Sequence, residues 1–167
     1  MRILTPEMAM SRLAASCART ETCTADAMAR LKRWGITPSA ASAIIGRLTD
    51  ESYISDSRYA RAYVRDKYRF AGWGRRKIAL GLAAKRIARD IAAEALDEAV
   101  DSDEYLAKLT AVVRAKARTM PRELHNTYEG RAKLFAFAAG RGFESSLITA
   151  VIRSTDNPVW PDPSSDD

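Results

Sequence analysis

The chain has 167 residues, of which 47% are apolar and 29% are charged, and its net charge is +6. A chain of this length and composition can bury a core, so a protein that is disordered throughout is excluded. Its two cysteines and single histidine are too few for a disulfide framework or a zinc site, and no apolar run is long enough to span a membrane. We therefore expect a soluble protein of the cytoplasm.

Helix signals recur along the chain. Glycine and proline are sparse, whereas Ala, Leu, Arg, Lys and Glu dominate, which predicts an all-α protein of about nine helices. Thr37 followed by Pro38, and Asp101 followed by Glu104, are typical of helix N-termini. Gly74 is expected to precede a further helix, and Gly35 and Gly142 to end helices in left-handed turns. The sequence thus marks the start or the end of five helices directly.

A weak internal repeat of about fifty residues follows from these turns. Apolar anchors come just after them at Ile36, Ile87 and Phe143, which lie 51 and 56 residues apart. Each anchor is followed by apolar residues eight or nine positions later, as expected of stacked helical units. We predict one repeat in residues 1–54, a basic repeat in 55–100, a third in 101–156 and a flexible acidic tail in 157–167.

The second predicted repeat holds most of the net charge, because residues 55–90 contain 11 basic and 3 acidic side chains. It includes the stretch "RYARAYVRDKYRFAGWGRRKI". On a helix that turns about 100° per residue, the first four arginines of this stretch fall within an arc of roughly 80° and form a stripe. Tyr59, Tyr63 and Phe70 lie on the other side, where we expect them to be buried. The arginines of this stripe are Arg58, Arg61, Arg65 and Arg69.

Three further cations, Arg75, Arg76 and Lys77, open the next predicted helix. Cations oppose the macrodipole at a helix N-terminus, so helix stability does not explain them. Trp73 precedes them and suits either a packing role or contact with a partner. The whole segment predicts a binding surface for a polyanion or an acidic partner. Its candidate residues are Arg58, Arg61, Arg65, Arg69, Trp73, Arg75, Arg76, Lys77, Lys85 and Arg86.

Catalysis has little support in the sequence. His125 is the one histidine and reads as a loop residue, so a triad has one possible base. The acidic residues from Glu94 to Glu104 follow the exposed side of two helices, and the "AGWG" stretch lacks the lysine of a phosphate-binding loop. We therefore expect no catalytic site, no metal and no cofactor.

The central segment resembles the RecX family of bacterial RecA regulators. Tyr53 to Asp56 match its first turn, Arg58 to Ala60 its helix start and Gly72 to Gly74 its loop. The basic helix matches at Arg76, Ile78, Leu82, Lys85 and Ile87, and "KLFAFAAGRGFESSLI" resembles the signature of the third repeat. This chain departs from the pattern at Ser52 and Arg86, where the family usually has glycine, and at Arg75, where it often has proline. A left-handed arginine at position 86 would cost on the order of 1 kcal/mol.

The resemblance implies three tandem three-helix repeats that form an elongated, curved array. It also implies a monomer that binds the RecA filament on single-stranded DNA and lowers strand exchange and ATP hydrolysis. The residues leave open whether the basic surface meets DNA or RecA. The alternatives are a helix-turn-helix transcription regulator, although its arginines lack interleaved Asn or Gln for base reading, and, ranked last, a metal-dependent nuclease.

Overall fold

The computed structural model describes residues 4–155 and 158–161, and every regular element in these ranges is helical. The all-α prediction is therefore confirmed. In chain order the helices are α1 (Pro6–Cys17), α2 (Thr24–Arg33), α3 (Pro38–Asp50), α4 (Asp56–Arg69), α5 (Arg75–Ala84), α6 (Arg89–Ala99), α7 (Ser102–Arg118), a short 3₁₀ helix (Arg122–Leu124), α8 (Tyr128–Gly140) and α9 (Ser145–Arg153).

The helix boundaries follow the capping residues that the sequence marks. The Thr37 side chain accepts a hydrogen bond from the Ala40 N–H at the start of α3, with Pro38 as the first helical residue. Asp101 accepts from the N–H groups of Asp103 and Glu104 at the start of α7. These bonds satisfy donors that a helix N-terminus leaves without an intrahelical partner.

Three turns share one geometry and confirm the periodic anchors. In each, an apolar residue donates its N–H to a carbonyl five residues earlier, and the residue before it has a left-handed backbone. The anchors are Ile36, Ile87 and Phe143, exposed by 8%, 6% and 1%. The left-handed residues are Gly35 (φ 79°), Arg86 (φ 56°) and Gly142 (φ 93°). Arg86 and Ser52 (φ 63°) thus both have a left-handed backbone, at two positions where the family pattern usually has glycine.

The chain divides into two compact units whose boundaries fall inside α4, α5 and α6. The first unit comprises Met1–Arg65 and Gly81–Ala95, and the second comprises Asp66–Leu80 and Leu96–Asp167. In the first unit α3 packs against α1 and α2 around Leu13, Leu31 and Leu48. In the second unit α7, α8 and α9 pack against one another around Leu109, Leu134 and Ile148. The boundaries of the three predicted repeats stay predictions.

The aromatic residues of α4 correct one prediction. Phe70 is 84% exposed, whereas Tyr68 is 1% exposed and belongs to the core. The buried stripe of α4 consists of Ala60, Val64 and Tyr68, spaced by four residues. Phe70 directly follows the last residue of α4. Around the axis of that helix its position is about 160° from that of Tyr68. Its expected burial was therefore wrong.

Tyr59 and Tyr63 flank this buried stripe and are half-buried. Their rings stack on each other with centroids 6.0 Å apart. The Tyr63 hydroxyl oxygen lies 2.1 Å from where a Cβ at Gly81 would be, so only glycine leaves room for it. Burial raises the pKa of both phenols. Their predicted packing role holds, although neither ring is fully enclosed.

The predicted tail also needs correction over residues 158–161. Val159 is 3% exposed, and the ring of Trp160 lies 5.0 Å from that of His125. The Arg114 side chain donates to the carbonyl oxygen of Pro158 over 3.2 Å. The apolar residues Val159 and Trp160 therefore pack against other parts of the second unit, although the stretch around them is polar. The remaining tail residues, 157 and 162–167, lie outside the described residues.

Candidate functional site

The arginine face of α4 contains three exposed side chains, Arg61, Arg65 and Arg69. Around the helix axis, the middle of this face lies about 100° from the middle of the buried stripe. Burial of that stripe therefore leaves the guanidinium groups at the surface. Arg61 lies 3.5 Å from Glu94, but both side chains are largely exposed at 45% and 61%. An exposed ion pair of this length contributes little and does not remove the charge from the surface.

Arg58 differs from the other three. Its Nε lies 2.9 Å from Glu21 Oε1, and its Nη2 donates over 2.9 Å to the Ser52 carbonyl. These bonds tie the start of α4 to the loop after α1 and to the turn after α3, all within the first unit. Arg58 therefore has a structural role that the sequence did not indicate.

Lys85 and Arg86 lie at the end of α5 in the first unit. Lys85 Nζ contacts both carboxylate oxygens of Asp26, at 2.9 and 3.1 Å, and these hydrogen bonds raise the pKa of Lys85. The neighbouring Arg86 is exposed in its left-handed turn. Thus Lys85 joins α5 to α2, whereas the Arg86 side chain points to solvent.

Trp73 lies between two lysines in the loop that joins α4 to α5. Lys67 Nζ is 4.7 Å and Lys77 Nζ is 4.5 Å from the centre of its ring. Such contacts attract a cation to the negative face of the indole. The half-buried ring therefore serves to hold two positive charges in the second unit. Lys67 belongs to this group, and the sequence analysis did not single it out.

Three backbone donors at the start of α5 have partners within the fold. The Gly74 N–H donates to the Arg141 carbonyl over 2.7 Å, and the Arg76 N–H donates to the Gly142 carbonyl over 3.0 Å. Between them, the Arg75 N–H donates to the Tyr105 hydroxyl over 3.0 Å. Because these three N–H groups have protein partners, they are not available to an anion.

This loop packs closely against the turn that follows α8. A Cβ at Gly74 would lie 2.4 Å from Gly142 backbone atoms, and one at Gly142 would lie 2.3 Å from Lys77 Cβ. The Arg141 guanidinium reaches the Ala71 carbonyl at 3.5 Å. Two glycines are thus required for this approach, and Arg141 adds a cation to the loop. The signal in the sequence is the "AGRGF" stretch, of which the sequence analysis used Gly142 and Phe143 but not Arg141.

Arg75 is turned inward, unlike its neighbours. Its Nη2 donates to the Val100 carbonyl over 3.0 Å, and its guanidinium lies 5.1 Å from the Tyr105 ring centre. The Tyr105 hydroxyl in turn donates to Glu144 Oε2 over 2.6 Å. Burial, followed by that hydrogen bond, raises the pKa of Tyr105. Arg75 therefore belongs to a polar network of the second unit, whereas Arg76 is exposed and Lys77 half-exposed.

The residues that could suggest other chemistry are dispersed. Among residues 4–155 and 158–161, no group of three His, Cys, Asp or Glu side chains is arranged to hold a metal ion. His125 Nε2 lies 3.2 Å from the Met120 carbonyl oxygen in the loop before α8. No helix in the described part of the chain has the length and hydropathy of a membrane span.

The comparisons with known proteins agree with the helical arrangement. The family model described as "RecX, second three-helix domain" matches residues 55–96 of this sequence, and the family model of the third three-helix domain matches residues 103–152. The regulatory protein RecX of Chromohalobacter salexigens is 32% identical over 132 residues, which cover 78% of this chain and 82% of that protein. The chain belongs to the RecX family.

A second relative and a solved structure extend the comparison. The regulatory protein RecX of Finegoldia magna is 26% identical over 108 residues, and the chain spans about half of that protein's length, 52%. The crystal structure of RecX from Lactobacillus salivarius has a TM-score of 0.77 at 23% identity and covers 89% of this chain and 94% of that one. The latter shows the shared fold, and the family places the chain among regulatory proteins.

Proposed function

We propose that this chain binds RecA filaments on single-stranded DNA and lowers both strand exchange and ATP hydrolysis. Its family membership supports a regulatory role, and the name of the family points to RecA. The observation that carries the proposal is the exposed row of Arg61, Arg65 and Arg69 on α4. A filament of protein on DNA offers both phosphates and acidic side chains to such a row.

The ten predicted site residues divide by their contacts and by their exposure, and Arg61, although paired with Glu94, counts among the exposed cations. Arg58, Arg75 and Lys85 bond to groups of the fold, so we assign them to positioning. Trp73 contacts Lys67 and Lys77 through its ring, so we assign it to holding these two lysines. The contacts with the filament are assigned to the cations that the structure leaves at the surface: Arg61, Arg65, Arg69, Arg76, Lys77 and Arg86.

A sequence-reading transcription regulator is supported less well. In a helix-turn-helix, the second helix enters the major groove and its N-terminal part contacts bases. In the central segment that helix would be α6, whose sequence "RDIAAEALDEA" contains four acidic residues and one basic residue. Such a helix repels the phosphates that flank a groove. We therefore place the polyanion contact on α4 and on the loop before α5.

A regulator of this kind needs no catalytic group. Binding along a filament can block its growth through occupied surface alone. We infer that the chain acts by binding and has no catalytic activity of its own.

The direct test is RecA-dependent ATP hydrolysis on single-stranded DNA while the purified protein is titrated in. We expect the rate to fall as the protein is added, and the inhibition to weaken as salt is raised, because charge attraction is screened over about 10 Å at 0.1 M salt. An unchanged rate over a wide range of protein concentration would contradict the proposal. A control with heat-denatured protein excludes an effect of added basic polymer.

A further inference from the structure

A cleft runs between α8 and α9 in the second unit, far along the sequence from the basic segment. It has a volume of about 360 Å³, an apolar lining from Ala132, Phe135 and Ile152, and Tyr128 among its walls. A second cleft of about 480 Å³ shares Arg131, Ile152 and Arg153 with it. Residues 158–161 form a wall of this second cleft. The two hollows therefore adjoin at the two arginines, and each has the size of a ligand-binding cavity.

Tyr128 is the most exposed large side chain of this region. It is the first residue of α8 and is 89% exposed. The N-terminus of α8 is capped by the Thr127 hydroxyl, which accepts from the Gly130 N–H over 3.0 Å, so the helix start does not depend on the phenol ring. Exposed aromatic rings beside an apolar hollow are typical of the anchor residues in protein interfaces.

The described lining of the two clefts carries charge of one sign. Of the described residues that line them, the charged ones are Arg131 and Arg153. The nearby Glu129 forms an ion pair with Lys133 over 2.8 Å, and neither residue lines either cleft. An occupant that spans both hollows therefore meets two cations at their junction, and a carboxylate there is complementary to them.

A peptide fits these features better than a nucleic acid does. Single-stranded nucleic acid binds to free aromatic faces within a strongly basic groove. Here the Trp160 ring lies against His125 at 5.0 Å, and the walls combine aliphatic side chains with neutral polar residues, among them Thr149, Ser154 and Thr155. Residues 91–156 contain 9 basic and 10 acidic side chains, so this part of the chain lacks the overall positive charge of a nucleic-acid footprint.

We propose that these adjoining clefts bind an acidic peptide segment of a partner protein. In this segment a carboxylate lies between two apolar side chains. One apolar side chain enters the cleft beside Tyr128, the other enters the cleft beside Val159, and the carboxylate contacts Arg131 and Arg153. This surface is separate from the arginine row of α4 and does not depend on the function proposed for that row.

The test is a selection from a phage-displayed library of random 12-residue peptides on the full-length wild-type protein. We expect the selected peptides to share an Asp or Glu between apolar residues. Labelled copies should bind the wild type with a Kd that rises at least tenfold in the variant with Arg131→Gln and Arg153→Gln, and also in Tyr128→Ser. All these side chains are exposed, so circular dichroism should show an unchanged helical content.

A matched variant with Arg118→Gln and Arg122→Gln removes the same charge from exposed positions of the second unit and should bind the peptides as the wild type does. Selected peptides without an acidic and apolar pattern would overturn the proposal. So would equal binding by the Arg131 and Arg153 variant, or failure to select any peptide. Tighter binding of a 12-nucleotide oligothymidylate than of every peptide, weakened in the Arg131 and Arg153 variant but not in the Arg118 and Arg122 variant, would assign the clefts to nucleic acid instead.

Discussion

The left-handed turn at Arg86 allows the conformational cost of one residue to be measured. Arg86 has φ 56°, in a region that costs an L-residue about 1–2 kcal/mol. Glycine has no such cost, but its greater freedom in the unfolded chain offsets about 0.5–1 kcal/mol. We therefore expect Arg86→Gly to raise the free energy of unfolding by about 0.5–1 kcal/mol.

Urea denaturation followed by circular dichroism gives this number from the shift in midpoint at an unchanged slope. Arg86→Ala is the matched control, since alanine removes the same charge but keeps the strain. It should leave the midpoint nearly unchanged. If alanine stabilises the protein as much as glycine, the gain comes from the lost charge and not from the backbone. A lower midpoint for Arg86→Gly would refute the reasoning outright.

Three further predictions concern single side chains of the second unit. Tyr68 is 1% exposed, so Tyr68→Ala should lower the free energy of unfolding by about 3–5 kcal/mol. Phe70 is 84% exposed, so Phe70→Ala should change it by less than about 0.5 kcal/mol. Similar urea midpoints for the two variants would contradict the assignment of the core. Asp101→Ala should cost about 1 kcal/mol in the same assay, through loss of the cap of α7, and Asp101→Asn should restore most of it. Tyr105 has a raised pKa in the folded state, so the stability it contributes is present below its unfolded pKa of about 10 and is lost as pH rises beyond it. Burial also raises the pKa of Tyr59, Tyr63 and Tyr68, so tyrosinate absorbance should show a delayed fraction of the ionisation that coincides with alkaline unfolding and that falls by one tyrosine in Tyr105→Phe. Complete ionisation near pH 10 with intact helices would contradict this.

Local signals in the sequence predicted the parts of the fold that depend on neighbouring residues. The caps at Thr37 and Asp101, and the turns before Ile36, Ile87 and Phe143, are each set by a few adjacent positions. Such features are decided by backbone hydrogen bonds over one helical turn, so they can be read without knowing the rest of the chain.

The exposed Phe70 shows the limit of local sequence signals. Ala60, Val64 and Tyr68 define the buried stripe of α4, but Tyr59 and Tyr63 are as apolar as Tyr68. The sequence places Ala60 and Val64 on the buried side correctly, but it centres that side on Tyr59, Tyr63 and Phe70, whereas the buried stripe continues to Tyr68. Only the position of the neighbouring helices decides which stripe is buried.

The candidate site was predicted in composition but not in its contacts. Exposure of Arg61, Arg65 and Arg69 follows from helix periodicity. The inward turn of Arg75 and the approach of Arg141 to the loop depend on residues 25 to 70 positions apart in sequence. Contacts of such range are set by packing, which no local pattern encodes.

The most direct test of the proposed function compares two triple variants in RecA-dependent ATP hydrolysis on single-stranded DNA. The first replaces Arg61, Arg65 and Arg69 with alanine, and the second, as a control, replaces the exposed residues Arg19, Lys32 and Arg33. Both lose three positive charges, so a general effect of net charge would weaken them equally. We predict that the first variant requires at least tenfold more protein for half-inhibition, while the control inhibits as the wild type does and both keep their helical content. Full inhibition by the first variant would contradict the assignment of this face to filament binding.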